Sequence, residues 1–229
     1  MQPTHPQDSG VTDDRTDLPR TRPKPGERRV HILRTLASML EAPKREKITT
    51  AALAARLNLS EAALYRHFAS KAQMFEGLIE FIEATFFGLI NQIAAKEPDG
   101  VLQARAIALM LLNFAAKNPG MTRVLTREAL VGEHERLTER VDRMLERVEA
   151  TVKQSLRVAL MEANARSDAD GDAPAPVPAP VPLPDGYDPA LRASLMISYV
   201  IGRWHRFATS GFTKPPTEHA DAQLRLILQ

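Results

Sequence analysis

The chain has 229 residues, with 30 Lys and Arg against 28 Asp and Glu, a formal net charge of +2, and no cysteine. Without cysteine it can form no disulfide, no thiolate nucleophile and no Cys-ligated metal site, which favours a reducing compartment. The longest apolar run, Ala106 to Leu112, is far shorter than the ~18 residues of a membrane span, and no secretory signal is visible near Met1. We therefore expect a cytoplasmic protein without a membrane span.

Eleven of the 17 prolines lie in two segments, five within the first 25 residues and six between Pro174 and Pro184. The first segment has almost no large apolar residue to bury, so we predict a disordered tail over residues 1–26. The second cannot be helical, because proline lacks the amide hydrogen and clashes with the preceding turn, and residues 166–188 are predicted to form a Pro-rich loop. Two helical units are expected, at 27–71 and 72–229.

Apolar residues at helical spacing predict an all-α protein of about nine helices. Caps, prolines and glycines place their ends near residues 27–41, 51–57, 61–68, 70–96, 102–118, 122–130, 133–165, 189–210 and 217–228. The helix at 189–210 is apolar nearly all round, so it must be covered on several sides. We expect it to form a homodimer interface through Leu195, Tyr199, Trp204 and Phe207, and the alternative is the core of a large monomer.

Positive charge is concentrated in the first helical unit. Nine Lys and Arg but three acids lie between Arg28 and Lys71, so this stretch carries +6 and the rest of the chain −4. A basic unit on a mildly acidic remainder indicates contact with a polyanion, although a solvated charged surface is the alternative. The two short helices at 51–57 and 61–68, about three residues apart, form a helix-turn-helix candidate within this unit.

A second short helix that enters the DNA major groove needs small residues for close approach, and polar or basic residues for bases and phosphates. The candidates for DNA contact are Thr49, Thr50, Ser60, Glu61, Ala62, Ala63, Tyr65, Arg66, His67 and Lys71. Leu64 and Phe68, four residues apart, are expected to face the core. The structural alternatives are helix capping for Thr49 and Ser60, partial burial for Tyr65, and solvation for the charged side chains.

The sequence carries no recognisable enzyme signature. It has no Gly-rich phosphate loop and no HExxH motif, and its six histidines are scattered without acid-base spacing. We therefore expect a protein that is not an enzyme, with no catalytic residue, no metal and no cofactor.

Three separated blocks carry a family resemblance. SEAALYRHFASKAQMFEGLIEFIE, from Ser60, resembles the DNA-binding domain and following helix of the TetR family of regulators, in which a helix-turn-helix ends in a Tyr-x-His-Phe-x-x-Lys run. With NPGMTRVLTREAL from Asn118 and RFATSGFTKPPT from Arg206, the chain is similar to the nucleoid occlusion factors within that family.

This resemblance implies a dimer, formed through the last two long helices, that binds palindromic sites in double-stranded chromosomal DNA, with room for more than one dimer per site. It also implies a second partner, the division protein FtsZ, whose polymers the nucleoid-associated factor antagonises so that septa do not form over the nucleoid. The matching partner-binding positions are Phe81, Lys117 and Asn118, with a core role as the alternative for Phe81.

The alternative function is that of a ligand-responsive TetR-type transcriptional repressor. Such a repressor needs a cavity of about 300 Å³ or more in the C-terminal unit, with a few converging polar groups. A division inhibitor can instead have a filled core and an exposed groove for its protein partner.

Overall fold

The structure is a computed structural model that describes residues 25–42, 47–168 and 182–229. Within these ranges it contains nine α-helices, one short 3₁₀ helix at Glu128–Leu130 and no strand, so the predicted all-α fold is confirmed. The helices are α1 (Pro25–Met39), α2 (Thr50–Arg56), α3 (Glu61–Tyr65), α4 (Lys71–Lys96), α5 (Gly100–Lys117), α6 (Pro119–Leu125), α7 (Glu135–Asp168), α8 (Pro189–Thr209) and α9 (Ala220–Leu228). We call α1–α3 the reading unit and α4–α9 the body.

Some helix ends differ from the prediction. The single helix expected at 122–130 is α6 followed by a 3₁₀ turn, because Arg127 adopts a left-handed conformation (φ 63°) that interrupts it. α7 continues to Asp168, so the Pro-rich loop cannot begin at residue 166, and α1 already begins at Pro25. Most of that loop and residues 1–24 of the predicted tail lie outside the described residues.

An aromatic cluster occupies the centre of the body. The rings of Phe86 and Phe114 meet edge to face at 4.8 Å, and Phe86 lies 6.3 Å from Trp204. The indole nitrogen of Trp204 donates to the carbonyl of Leu111 at 3.2 Å, so its one polar atom is satisfied inside the core. These side chains fill the space between α4, α5 and α8.

Two of the four residues predicted at the dimer interface are buried within the protomer. Trp204 is 0% exposed and Phe207 4% exposed, because α5, α6, α7 and α9 of the same chain pack around α8. Placing these two at a subunit interface was wrong, and the alternative of a monomer core applies to them. Helical spacing shows only that these residues are covered by apolar side chains, so it could not distinguish a subunit interface from the core of one protomer.

The C-terminal end of α9 is held by side chains from the segment before α8 and from α8 itself. The Tyr187 hydroxyl donates to the carbonyl of Leu228 at 3.0 Å, and Arg192 Nη1 donates to the carbonyl of Ile227 at 2.7 Å. These bonds satisfy carbonyls that the last turn of a helix leaves without intrahelical partners. Burial raises the pKa of Tyr187 to about 12, because the charged phenolate is costly away from water.

By length and composition alone, α4 and α5 could each cross a membrane, with mean hydropathy of 1.4 and 1.2. The longest uninterrupted apolar run did not reveal this, because isolated polar residues divide both helices. Each helix contributes one side to the core, through residues such as Phe86 and Leu111. Core helices of this kind satisfy the same criterion, so the finding is weak evidence for a membrane segment.

Candidate nucleic-acid interface

Three hydroxyl side chains begin the helices of the candidate interface. Thr49 accepts from the amide of Ala52 at the start of α2, and Ser60 accepts from the amide of Ala63 at the start of α3, both at 3.1 Å. Ser70 begins α4 and forms the expected capping box with Gln73, whose side chain accepts in return from the amide of Ala69. The capping roles considered for Thr49 and Ser60 are therefore present.

α3 presents a polar surface and buries an apolar one. Leu64 and Phe68 are fully buried, as predicted from their spacing. Glu61, Ala62, Tyr65 and Arg66 are exposed, whereas Ala63 and His67 are half-buried. α3 ends at Tyr65 rather than at residue 68, because the amide of His67 bonds the carbonyl only three residues back, in a tightened last turn.

Polar side chains link the two short helices across the turn. Thr50 Oγ1 donates to Glu61 Oε2 at 2.7 Å, and the Tyr65 hydroxyl lies 3.5 Å from Thr50 Oγ1. Thr50 was predicted as a phosphate contact, but its hydroxyl hydrogen is directed to Glu61. Its observed role is to orient Glu61 at the start of α3. The left-handed Asn58 (φ 53°) makes the turn that brings these residues together.

Lys71 is not a freely solvated cation. Its ammonium group lies 2.5 Å from Glu133 Oε1, at the entry to α7, and both side chains are largely screened from solvent. Lys71 was predicted as a DNA contact, and any phosphate there competes with Glu133. Sequence reasoning did not identify Glu133 as its partner, because the two residues are 62 positions apart and no local pattern connects them.

Arg29 is a second residue that the sequence reasoning did not single out. Its guanidinium group donates to the carbonyl of His67 and lies 4.2 Å from the centre of the Phe68 ring. The N-terminal part of α1 therefore lies beside the end of α3. Only the positive charge of Arg29 was visible in the sequence, and charge does not specify a contact.

A second surface lies between α4 and α5. Phe81 is 44% exposed, so the core alternative for it is wrong, and Lys117 is exposed as well. Asn118 is half-buried and donates to the carbonyl of Phe114 at 2.8 Å. Farther along the same two helices lies a largely apolar groove of about 440 Å³, lined by Leu89, Gln92, Ile93, Lys96, Glu97, Ala106 and Met110.

A third surface lies on α7 and α8, which pack against each other. Leu195 is 52% exposed and Leu191 is more so, while Val158 and Met161 are exposed on α7. Tyr199 is half-buried and donates to Gln223 Oε1 at 2.7 Å, within its own protomer. Of the predicted interface residues, Leu195 is thus the one that is freely exposed, and Tyr199 is partly so.

Comparisons with known proteins cover both units. Residues 46–78 match a model of the tetR family of bacterial regulatory proteins, and residues 99–172 match a SlmA-like model of tetracyclin repressor-like C-terminal domains. The nucleoid occlusion factor SlmA of Idiomarina loihiensis is 44% identical over 88% of this chain and 94% of its own length. The SlmA of Alteromonas mediterranea is 44% identical over 86% of this chain and 91% of its own length.

Solved structures support the same fold at much lower identity. The transcriptional regulator FadR of Bacillus subtilis, in complex with stearoyl-CoA, has a TM-score of 0.64 at 10% identity, covering 87% of this chain and 97% of FadR. AibR, in complex with isovaleryl coenzyme A and operator DNA, has a TM-score of 0.63 at 15% identity over 87% and 97%. With relatives above 40% identity along most of its length, the chain belongs to the TetR family, in the group of the nucleoid occlusion factor SlmA.

Proposed function

We propose that the protein is a nucleoid occlusion factor that binds palindromic chromosomal sites as a dimer and antagonises FtsZ polymers. The observation that carries the proposal is the 44% identity to SlmA proteins over most of both chains. The site residues support it, because the reading unit has an exposed polar α3 surface and the body has a separate exposed groove. Association with the nucleoid follows from the DNA binding.

The α3 surface suits a major groove. Ala62 is small enough for close approach, while Tyr65 and Arg66 offer a hydroxyl and a fork of donors on the same exposed side. Glu61, oriented by Thr50, can accept from a base amino group. Thr49 and His67 lie at the edges of this surface, so we assign them contacts with the phosphate backbone of the DNA. We take residues 27–71 as the DNA-binding domain.

The exposed apolar side chains on α7 and α8 support a homodimer. Leu195 and Leu191 lie in the first half of α8, and the exposed Val158 and Met161 lie in the last third of α7, which packs against α8. Gly202, farther along α8, has open space where a side chain would be. A twofold pairing of these helices would cover the exposed side chains and place two reading units on one palindrome.

The α4–α5 surface is the proposed site for FtsZ. Phe81 precedes the end of α4 by 15 residues and Lys117 follows the start of α5 by 17, so both lie at one end of the helical hairpin. They are about 23 and 26 Å from its loop at 1.5 Å per residue. An exposed aromatic ring and a cation, with an apolar groove farther along the same two helices, suit a short segment with apolar and acidic residues.

A ligand-responsive repressor would use the body differently. The space between α4, α5 and α8 holds Phe86, whose ring meets those of Phe114 and Trp204. The larger of the described pockets lie outside this cluster, at the α1–α2 junction and along the α4–α5 groove. The filled centre favours the division inhibitor over the repressor.

DNA binding is tested by the double substitution Tyr65→Ala and Lys71→Ala. We expect specific binding to be abolished in gel-shift assays, while sedimentation still reports a dimer, because neither residue belongs to α7 or α8. Arg143→Ala is the control, since Arg143 pairs with Glu139 on the exposed side of α7. Unchanged binding by the double variant would refute the assignment of this surface.

Cosedimentation of FtsZ polymers tests the second partner. Polymers formed with GTP are pelleted with the protein alone, with DNA alone and with both. We expect fewer polymers in the pellet when both are present, and restoration by Phe81→Ala with Lys117→Ala. A simple repressor would leave the pellet unchanged in all samples.

A further inference from the structure

Arg123, on α6, connects three parts of the molecule and is only 5% exposed. Its Nη1 donates to two carbonyls, that of Leu40 at 2.9 Å and that of Ala42 at 2.8 Å. Its Nε lies 3.4 Å from Glu128 Oε1, and the guanidinium carbon lies 4.8 Å from the centre of the Phe212 ring. A buried arginine with carbonyl, carboxylate and aromatic neighbours is fixed on several sides.

The two carbonyls belong to the point where the chain leaves α1. α1 ends at Met39, and the carbonyls of Leu40 and Ala42 follow its last turn, where a cation is favourable both as a donor and toward the helix dipole. The chain then continues to Lys47 and into α2. Arg123 therefore binds the reading unit at the start of the connection to its helix-turn-helix.

Close packing accompanies this contact. A Cβ atom at Gly120 would lie 1.9 Å from the carbonyl oxygen of Ala37, so the first turn of α6 rests directly on the backbone of α1. Only glycine permits this approach. A tilt of α1 toward α6 is blocked by the backbone, and a tilt away from α6 breaks the bonds from Arg123.

Phe212 extends the connection toward the proposed dimer helices. It follows α8 directly, has a left-handed backbone (φ 66°), and meets Phe207 of α8 at a ring distance of 5.1 Å. The guanidinium group of Arg123 thus lies between the corner after α8 and the end of α1. A change in its position would alter the angle of the reading unit relative to α8.

We propose that Arg123 is a positioning residue that sets the angle of the reading unit on the body, and thereby the separation of the two α3 helices in the dimer. This separation determines which spacing between the halves of a palindrome is bound. The inference rests on the proposed function for its DNA consequence. The distance between the two reading units of the dimer can be measured without DNA.

Distance measurement between spin labels tests the proposal directly. The chain has no cysteine, so Ala55→Cys, on the exposed side of α2, gives one label per protomer. Double electron–electron resonance on the full-length dimer then reports the distance between the two reading units. With Arg123 present we expect one narrow distance distribution.

Arg123→Lys keeps the charge but loses the planar fork, and we expect it to roughly double the width of that distribution. Phe212→Leu removes the stacking ring and is expected to broaden it as well. Arg105→Lys is the matched control, because Arg105 pairs with Asp221 between α5 and α9, within the body. It should leave the distribution unchanged.

The DNA consequence is measured with a palindrome that the wild-type protein selects from random duplexes, and with the same palindrome carrying one extra central base pair. We expect Arg123→Lys to reduce the preference for the selected spacing about tenfold, the change that one lost set of positioning contacts brings in an equilibrium constant. If Arg123 only stabilised the fold, its substitution would lower the affinities for the two duplexes equally.

Distributions of equal width in wild type and Arg123→Lys would overturn the proposal. So would loss of wild-type helix content, by circular dichroism, in both Arg123→Lys and Phe212→Leu, because Arg123 would then be a residue of general stability. If the wild-type protein selects no duplex, the proposed DNA binding fails, and the distance measurement still decides the role of Arg123.

Discussion

The reading unit and the body use their residues in opposite ways. In α2 and α3 only Leu53, Ala54 and Leu64 are buried, and most other side chains point outward. α5 alone buries nine residues, and the centre of the body is closed by aromatic rings. α2 and α3 thus leave most of their surface open and contribute few residues to the core. The surfaces proposed for FtsZ and for the dimer lie on the outside of the body.

The largest expected effect tests whether stability lies in the body. Trp204→Ala removes a fully buried indole and its hydrogen bond to the Leu111 carbonyl. We expect the free energy of unfolding to fall by about 3–5 kcal/mol, measured by urea denaturation with circular dichroism. Tyr65→Ala, at the exposed surface of α3, is the control and should change it by less than about 1 kcal/mol. Similar losses of unfolding free energy in both variants would contradict the view that stability lies in the body.

A smaller effect is expected where the two regions meet. Gly120→Ala places a methyl group against the Ala37 carbonyl, so the backbone must shift, at a cost of about 1–3 kcal/mol. Gly88→Ala on α4 is the matched control, because nothing lies within 4 Å of its Cβ position. It should stabilise the helix by about 1 kcal/mol. Thermal unfolding distinguishes the expected destabilisation by Gly120→Ala from the expected stabilisation by Gly88→Ala. Equal shifts of the unfolding temperature in the two variants would show that α1 and α6 have room to separate.

Alkaline titration examines the body alone. Because burial raises the pKa of Tyr187 to about 12, the folded state holds this proton more tightly than the unfolded chain, whose tyrosines titrate near 10. The stability from Tyr187 is therefore complete below pH 10 and is lost as the pH rises from 10 to 12. We expect wild type to exceed Tyr187→Phe by about 1 kcal/mol at pH 8, from the hydrogen bond to Leu228. That difference should shrink in urea denaturation at pH 11; a constant difference would contradict the assignment.

The smallest effect concerns the ion pair between Lys71, at the start of α4, and Glu133, just before α7. Glu133→Gln releases Lys71 for a phosphate, so we expect the Kd for DNA to fall a few-fold and the salt dependence to steepen by about 0.9 in log–log slope. Glu135→Gln removes the same charge two residues away and serves as control. If the pair mainly holds the start of α4 against the entry to α7, Glu133→Gln will instead weaken binding without steepening the slope.

The sequence allowed the helices and the α3 surface to be predicted because both depend on local patterns. Helical spacing identified Leu64 and Phe68 as buried, and short capping motifs placed the start of α4. The partners of Lys71 and Arg29 could not be predicted, since these contacts join residues 62 and 38 positions apart. Trp204 was misplaced for a related reason, because apolar spacing does not say which helices cover a surface.

The burial of Trp204 has an optical consequence. It is the single tryptophan of the chain, so fluorescence excited selectively at the tryptophan reports the centre of the body. DNA titrated against the reading unit should leave this emission unchanged. A small molecule that entered between α4, α5 and α8 would shift it, which makes the native fluorescence a label-free screen for the kind of ligand that regulates a repressor.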